Sequence, residues 1–476
     1  MMFKKIAVIL IAAATSLSLY ACNGEESVKP SGDNVSGNEN VTVEDDFYED
    51  GLSTERYDGY NFRMLLRKGM VGDQYQETDS DDVIDSATFR RNKEVEAKYG
   101  ITITASESSA QYETDALNSI LAGDDAYDLI FAHSRAAFVY AVQGAVHNVN
   151  DISTIHTDKP WWNKDVQNSC NINGHQYVLD GDISRQGLGS AMVLFFNKEI
   201  FDELGFDYPY ELVKDGDWTF DEFSYLARKG AADLNGDGVM TLEDDRFGFV
   251  PGTWMAPINI LYAGGEKVYD KNDEGKLELT LFSNKTVDIF SEFFSLLDTE
   301  SCEIVPDDYT GGSHFKAGRA MFTTSTMDTA IAYRSMDDDF GIVPYPKFDE
   351  DDNYSTVING IAHLVVIPIT VPDVERTGAI TEALCAYGSK YVIPAFYETT
   401  LKTKTARDDE SEEMIDMVKD SIIYDIGYVA GGPFQSVGRS LALADSHDFA
   451  SFYAKNENKA LDYLVTFNRD YGHFEE

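Results

Sequence analysis

Between residues 60 and 132, short apolar runs alternate with segments whose apolar residues recur at helical spacing. YNFRMLL (60–66), the β-branched ITITA (101–105) and YDLIFA (127–132) suit strands. Residues 87–99 and 112–122 suit helices, which Gly100 and Gly123 bring to a stop. This strand-helix-strand-helix-strand order predicts an α/β lobe on a mostly parallel sheet.

Further along, AMVLFFN (191–197) reads as a buried strand and 198–204 as a short helix ended by Gly205. Thr219 stands three residues before Glu222, a capping box that opens a helix running to about Ala232. Strands are predicted at 320–323, 340–343 and, behind Asn359-Gly360, at 361–367. Residues 284–297 form an amphipathic helix, and from Ile380 onward the pattern is largely helical. No internal repeat interrupts this order.

With 476 residues, 43% of them hydrophobic, the chain can bury cores in two or three lobes. Its first residues stand apart from those cores. Lys4 and Lys5 precede an apolar run over 6–19, shorter than the ~20 residues a membrane span needs, and Leu19-Tyr20-Ala21-Cys22 follows. That tetrapeptide resembles a bacterial lipobox. The resemblance implies a signal peptide over 1–22 and a lipid on Cys22, which would anchor the protein to a membrane without inserting it; an ordinary signal peptide is the alternative. Residues 23–54, rich in Gly, Ser, Asn and acids, predict a flexible acidic tether.

A formal charge of −45 repels phosphate backbones, so no nucleic-acid partner is expected. Cys170, Cys302 and Cys385 are widely separated with no paired spacing and read as buried structural residues.

Residues 233–244 (DLNGDGVMTLED) have the spacing of a twelve-residue Ca²⁺ loop. Asp233, Asn235, Asp237, the Val239 carbonyl, Thr241 and Asp244 would be the ligands, with Gly238 at the sharp turn. The last ligand is Asp where an EF-hand has Glu. The alternative is a metal-free Asp/Asn/Gly surface turn. As a single loop beside a helix, it reads as a structural clamp and not as a sensor.

Enzyme chemistry has no positive support: there is no nucleophile elbow, zinc-type His-Glu pair, P-loop or GxGxxG fingerprint. In open α/β sheets, ligands bind just beyond the carboxyl ends of the strands. That singles out Arg67 after the first strand and His133, Ser134 and Arg135 after the third. Loop tryptophans offer flat faces for sugar rings, and Trp254 is the candidate; the Trp161-Trp162 pair reads as structural.

The order of Ala132-His133-Ser134-Arg135, Phe196-Asn197-Lys198, TFDEF (219–223), Phe247-Gly248-Phe249, FKAGRAM (315–321) and FGIVPYPK (340–347) is similar to that in extracellular solute-binding proteins of ABC importers, the family that includes maltose-binding proteins. IPAFYE (393–398) and KTKTARD (402–408) extend the resemblance. It implies a two-lobed α/β fold of the periplasmic-binding-protein type II class, with hinge crossovers near 187–194, 356–364 and 393–401. Lobe 1 would be 55–188 plus 358–394, and lobe 2 would be 189–357 plus 395–476.

The resemblance further implies a carbohydrate ligand, an oligosaccharide by preference, held between the lobes by Arg67, His133, Ser134, Arg135, Ser190, Trp254, Ser325 and Asn359. Ser134 stands where maltose binders have an acid, and 323–327 lacks a stacking aromatic, which points away from maltodextrin. A non-sugar solute, such as a peptide or polyol, is the alternative ligand; a surface glycan-degrading enzyme is the alternative function. The implied partner is an ABC permease, the implied state a monomer, and the implied location the extracytoplasmic face of the cell membrane.

Overall fold

A computed structural model describes residues 47–305, 312–401 and 409–474. The leader with Cys22, the tether to residue 46 and the 402–408 motif lie outside the described residues. Twelve strands run in chain order among those described: β1 (Asn61–Leu66), β2 (Thr102–Glu107), β3 (Leu129–His133), β4 (Met192–Asn197), β5 (Phe247–Phe249), β6 (Tyr269–Lys271), β7 (Leu277–Leu279), β8 (Ala320–Thr326), β9 (Phe340–Val343), β10 (Thr356–Val357), β11 (His363–Val366) and β12 (Ile422–Ile423).

The first lobe is the predicted α/β unit. β2, β1 and β3 are parallel, and β11 adds antiparallel to β3, giving the order β11-β3-β1-β2. Helix Val83–Tyr99 connects β1 to β2; Asp82 caps it through Ile84 and Asp85, and Gly100 ends it at φ +70°. The second lobe is a mixed sheet ordered β5-β8-β4-β9, in which β4 is antiparallel to both neighbours and β5 is parallel to β8. All residues of β3, β4, β8 and β9 are buried, as strands covered on both faces are.

The chain passes between lobes where its segments lie side by side. The Asn359 N–H donates to the Ser190 carbonyl at 2.9 Å, Ala191 bridges Ile358, and β10 pairs with β12 just beyond. Helix Ile393–Leu401 follows a π-turn over Gly388–Val392 and packs on helix Val83–Tyr99 of the first lobe and Thr329–Tyr333 of the second.

Two segments depart from the expected organisation. Residues 47–52, expected in the tether, dock on the first lobe: Leu52 is buried, Glu49 pairs with Lys98 at 2.5 Å and Asp50 with Lys159 at 2.6 Å. Acids that read as solvated in sequence find lysines there. The C-terminal helix Phe449–Asp470, expected in the second lobe, touches both. Its Asn468 brackets Leu277 of β7, while Phe467 and the following Tyr471 pack tilted against Phe138 of the first lobe.

Trp161 and Trp162 are buried, and both indole N–H groups donate to Glu382 at 2.8 Å, which makes the pair a core anchor. Burial pushes the Glu382 carboxyl up, against the pull of the His156 backbone N–H and the two indoles. Cys170, Cys302 and Cys385 are free and buried, as expected.

Candidate functional site

The carboxyl ends of β1 and β3 meet the Asn359–Ile361 crossing at one seam. Arg67, just past β1, donates through Nη1 to the Ile361 carbonyl and lies 3.6 Å from Glu113. Glu113 in turn accepts from the His133 backbone N–H at 2.9 Å. Ser134 donates to the Gly360 carbonyl at 2.7 Å and its N–H to Ala362 at 3.0 Å. His133 Nδ1 accepts from the Arg135 N–H, so a neutral ring carries its proton on Nε2. Burial, with Arg67 and Arg135 adding to it, lowers His133 to about 3, and the ring is neutral at physiological pH.

Two adjoining residues hold this arrangement in a strained backbone. Tyr112 has φ +57° and Glu113 φ +49°, the left-handed region that side chains disfavour. The strain places the Tyr112 ring edge-on to His133 at 4.7 Å, with the Arg135 guanidinium 5.5 Å from its centre. It also sends the Glu113 carboxylate inward, where it is 3% exposed.

The second lobe meets this group through residues 428–439. Arg135 Nη2 donates to Gln435, and the Tyr428 hydroxyl accepts from the Gly360 N–H at 3.3 Å. Gly431, at φ +90°, stands where a Cβ would come within 2.8 Å of Arg135 Nε. Four residues beyond Gln435, Arg439 lies 4.6 Å over the Trp254 ring.

Of the residues expected at the ligand, Arg67, His133, Ser134, Arg135 and Asn359 are thus gathered at one seam. Ser190 holds Asn359 through its carbonyl, while its hydroxyl donates to Gln186 at 2.8 Å. Trp254 packs against Arg439, four residues beyond the Gln435 that meets Arg135. Ser325 is buried within β8, its hydroxyl 2.7 Å from that of Thr329, and is committed to its own lobe. Tyr112, Glu113, Gln435 and Arg439 were not expected from the sequence. No motif marks them, and only the two folded lobes make them neighbours.

Around 233–244, the loop turns at Gly238 with φ +80°. Asp233 accepts from the Gly236 and Gly238 N–H groups at 2.7 and 2.8 Å, Asn235 from Asp237 and Asp237 from Val239 at 2.8 Å each. The clamp is Asp245, one residue beyond the predicted set: fully buried, it accepts from Leu234 at 2.9 Å and Thr241 at 2.8 Å. Among the described residues, no group of three or more His, Cys, Asp or Glu side chains is gathered to hold a metal.

No protein-family model matches the chain, and no curated protein sequence does. Its fold, by contrast, has many solved counterparts. A sugar transporter from Rhizobium etli in an open conformation matches with TM-score 0.58 at 13% identity, over 88% of this chain and 100% of that one. The maltose/maltodextrin-binding domain MalE of Bdellovibrio bacteriovorus, bound to maltotriose, matches with TM-score 0.55 at 15% identity, over 85% and 100%. UgpB of Mycobacterium tuberculosis, in complex with glycerophosphocholine, matches with TM-score 0.57 at 14% identity, over 86% and 100%. The fold is therefore that of the two-lobed solute-binding proteins of ABC transporters, and these neighbours are binding proteins, not enzymes.

Proposed function

We propose that this protein captures a carbohydrate, an oligosaccharide by preference, between its two lobes and delivers it to an ABC permease. The observation that carries this reading is the convergence of Arg67, His133 and Arg135 from one lobe with Gln435 from the other, with the Tyr112 ring against His133 and Arg135. Donors arrayed around a flat ring suit a solute whose hydroxyls need partners and whose apolar face needs a stacking surface. A ligand touching both lobes favours the closed arrangement, the signal a permease can read.

The lipobox-like sequence at 19–22 supports a lipid on Cys22 and a place on the extracytoplasmic face of the cell membrane. The proposal takes the protein to work as a monomer, with Ca²⁺ as a structural ion at 233–244 supported by the ligand spacing. Calorimetric titration across mono- and oligosaccharides tests the central claim. Heat and a raised melting temperature with a glycan are expected. Silence across all glycans, with a response to peptides, would sink it.

A further inference from the structure

We propose that the solute held at this seam is an anionic sugar, with its carboxylate, sulfate or phosphate bound by Arg135 and Arg439; this rests on the capture function proposed above. Acids outnumber Lys and Arg by 83 to 38 in this chain, and several guanidiniums are paired with a carboxylate. Arg63 has Asp125 and Asp128, Arg246 has Glu203 and Arg67 has Glu113.

Four arginines leave a buried N–H without an acceptor: Arg135, Arg185, Arg376 and Arg439. Arg185 has Asp73 at 2.6 Å, and Arg376 has Asp373 at 3.9 Å. Arg135 and Arg439 have no carboxylate within 4.0 Å among the described residues. Arg135 lies at the seam, and Arg439, on the other lobe, stands four residues past Gln435, the residue that accepts from Arg135.

A buried N–H without an acceptor is destabilising, and such a group persists where a partner arrives from outside. Each guanidinium here lies near an aromatic ring, Arg135 by Tyr112 and Arg439 by Trp254. Stacking of that kind satisfies the face of the cation and leaves its in-plane N–H edge for an oxyanion. At Arg135, Nη2 is already used on the neutral Gln435 amide, and Nε is free. Gly431 packs close against that Nε, where a Cβ would come within 2.8 Å of it. Neutral His133 and the Tyr112 ring then provide for hydroxyls and a ring face. In a molecule of charge −45, these two cations on either side of Gln435 select for an anion that the rest of the surface repels.

The test is isothermal titration of the full chain with trigalacturonate, trimannuronate, a 6-sulfated galactose and glucose 6-phosphate. Each is run beside its neutral counterpart, the uronides after carboxyl reduction. An acidic probe is expected to bind about tenfold to a hundredfold more tightly than its neutral partner, with affinity falling as salt is raised. Which acidic probe responds identifies the anion. Arg135→Gln and Arg439→Gln, each checked for an unchanged circular-dichroism spectrum, should narrow the acidic-to-neutral ratio, and Arg439→Lys should restore part of it. A neutral oligosaccharide binding as tightly as its acidic form, or a ratio unmoved by both Gln variants, overturns the anion assignment and leaves sugar capture standing. Failure of every sugar, charged and neutral, overturns the capture function together with it.

Discussion

The Ser134 hydroxyl donates to the Gly360 carbonyl at 2.7 Å and so ties the end of β3 to the crossing between lobes, 226 residues further along the chain. Both groups are buried, so the bond fixes the floor of the seam on which Arg67 and His133 stand. Ser134→Ala should cost about 1 kcal/mol in urea denaturation, the net value of one such bond with a carbonyl left unpaired. A loss indistinguishable from zero would mean that water or a shift of Gly360 replaces it.

Glu382 is the single acceptor for two indoles and the His156 N–H. Glu382→Ala should therefore destabilise by roughly 3 kcal/mol or more, because several donors lose their partner at once. Glu382→Gln, which keeps one acceptor oxygen, should cost less. Chemical denaturation monitored by tryptophan fluorescence measures both.

Asp180 of the first lobe is fully buried and receives the hydroxyl of Tyr424, which follows the hinge strand β12. Burial raises its carboxyl to about 7, against the pull of the Tyr424 hydroxyl and the Gly181 N–H. An acid whose folded pKa is raised stabilises fully below its unfolded pKa, near 4, and loses that contribution as pH rises through about 7. Asp180→Asn, which cannot ionise, should thus gain stability relative to the parent between pH 5 and pH 8. Parallel pH profiles for the two proteins would refute this assignment.

Gly431 sits at φ +90° with Arg135 Nε 2.8 Å from where its Cβ would lie. Gly431→Ala should strain the backbone by roughly 1–2 kcal/mol and displace the guanidinium. Weaker binding of whichever solute the titrations identify, with the melting temperature only slightly lowered, is the expected result.

At 233–244, 1 mM Ca²⁺ should raise the melting temperature above that in EDTA, since a ligand that binds only the folded state stabilises it. Asp237→Ala should abolish the difference. Asp245→Ala should lower the melting temperature with or without calcium, because its carboxylate bridges Leu234 and Thr241 directly. Identical melting curves in Ca²⁺ and EDTA would make the loop an ordinary turn closed by Asp245.

Local pattern alone set much of this molecule. The alternation over 60–132 placed β1, β2 and β3, because a strand at period two and a helix stopped by Gly100 are decided by nearby residues. The strand-end rule picked out Arg67 and His133 to Arg135 for the same reason.

What the sequence could not decide were the partners brought in from far along the chain. Tyr112 and Glu113 reach the seam only because two successive residues accept a left-handed backbone, which no local preference predicts. Arg439 and Gln435 matter because β4, β10 and β11 carry the chain back and forth until residues three hundred apart, Arg135 and Gln435, share a hydrogen bond. A charge of −45 can be counted from composition; that Arg135 and Arg439, among the described residues, combine a buried N–H without an acceptor and no carboxylate within 4.0 Å is a property of position, and only the packed lobes determine it.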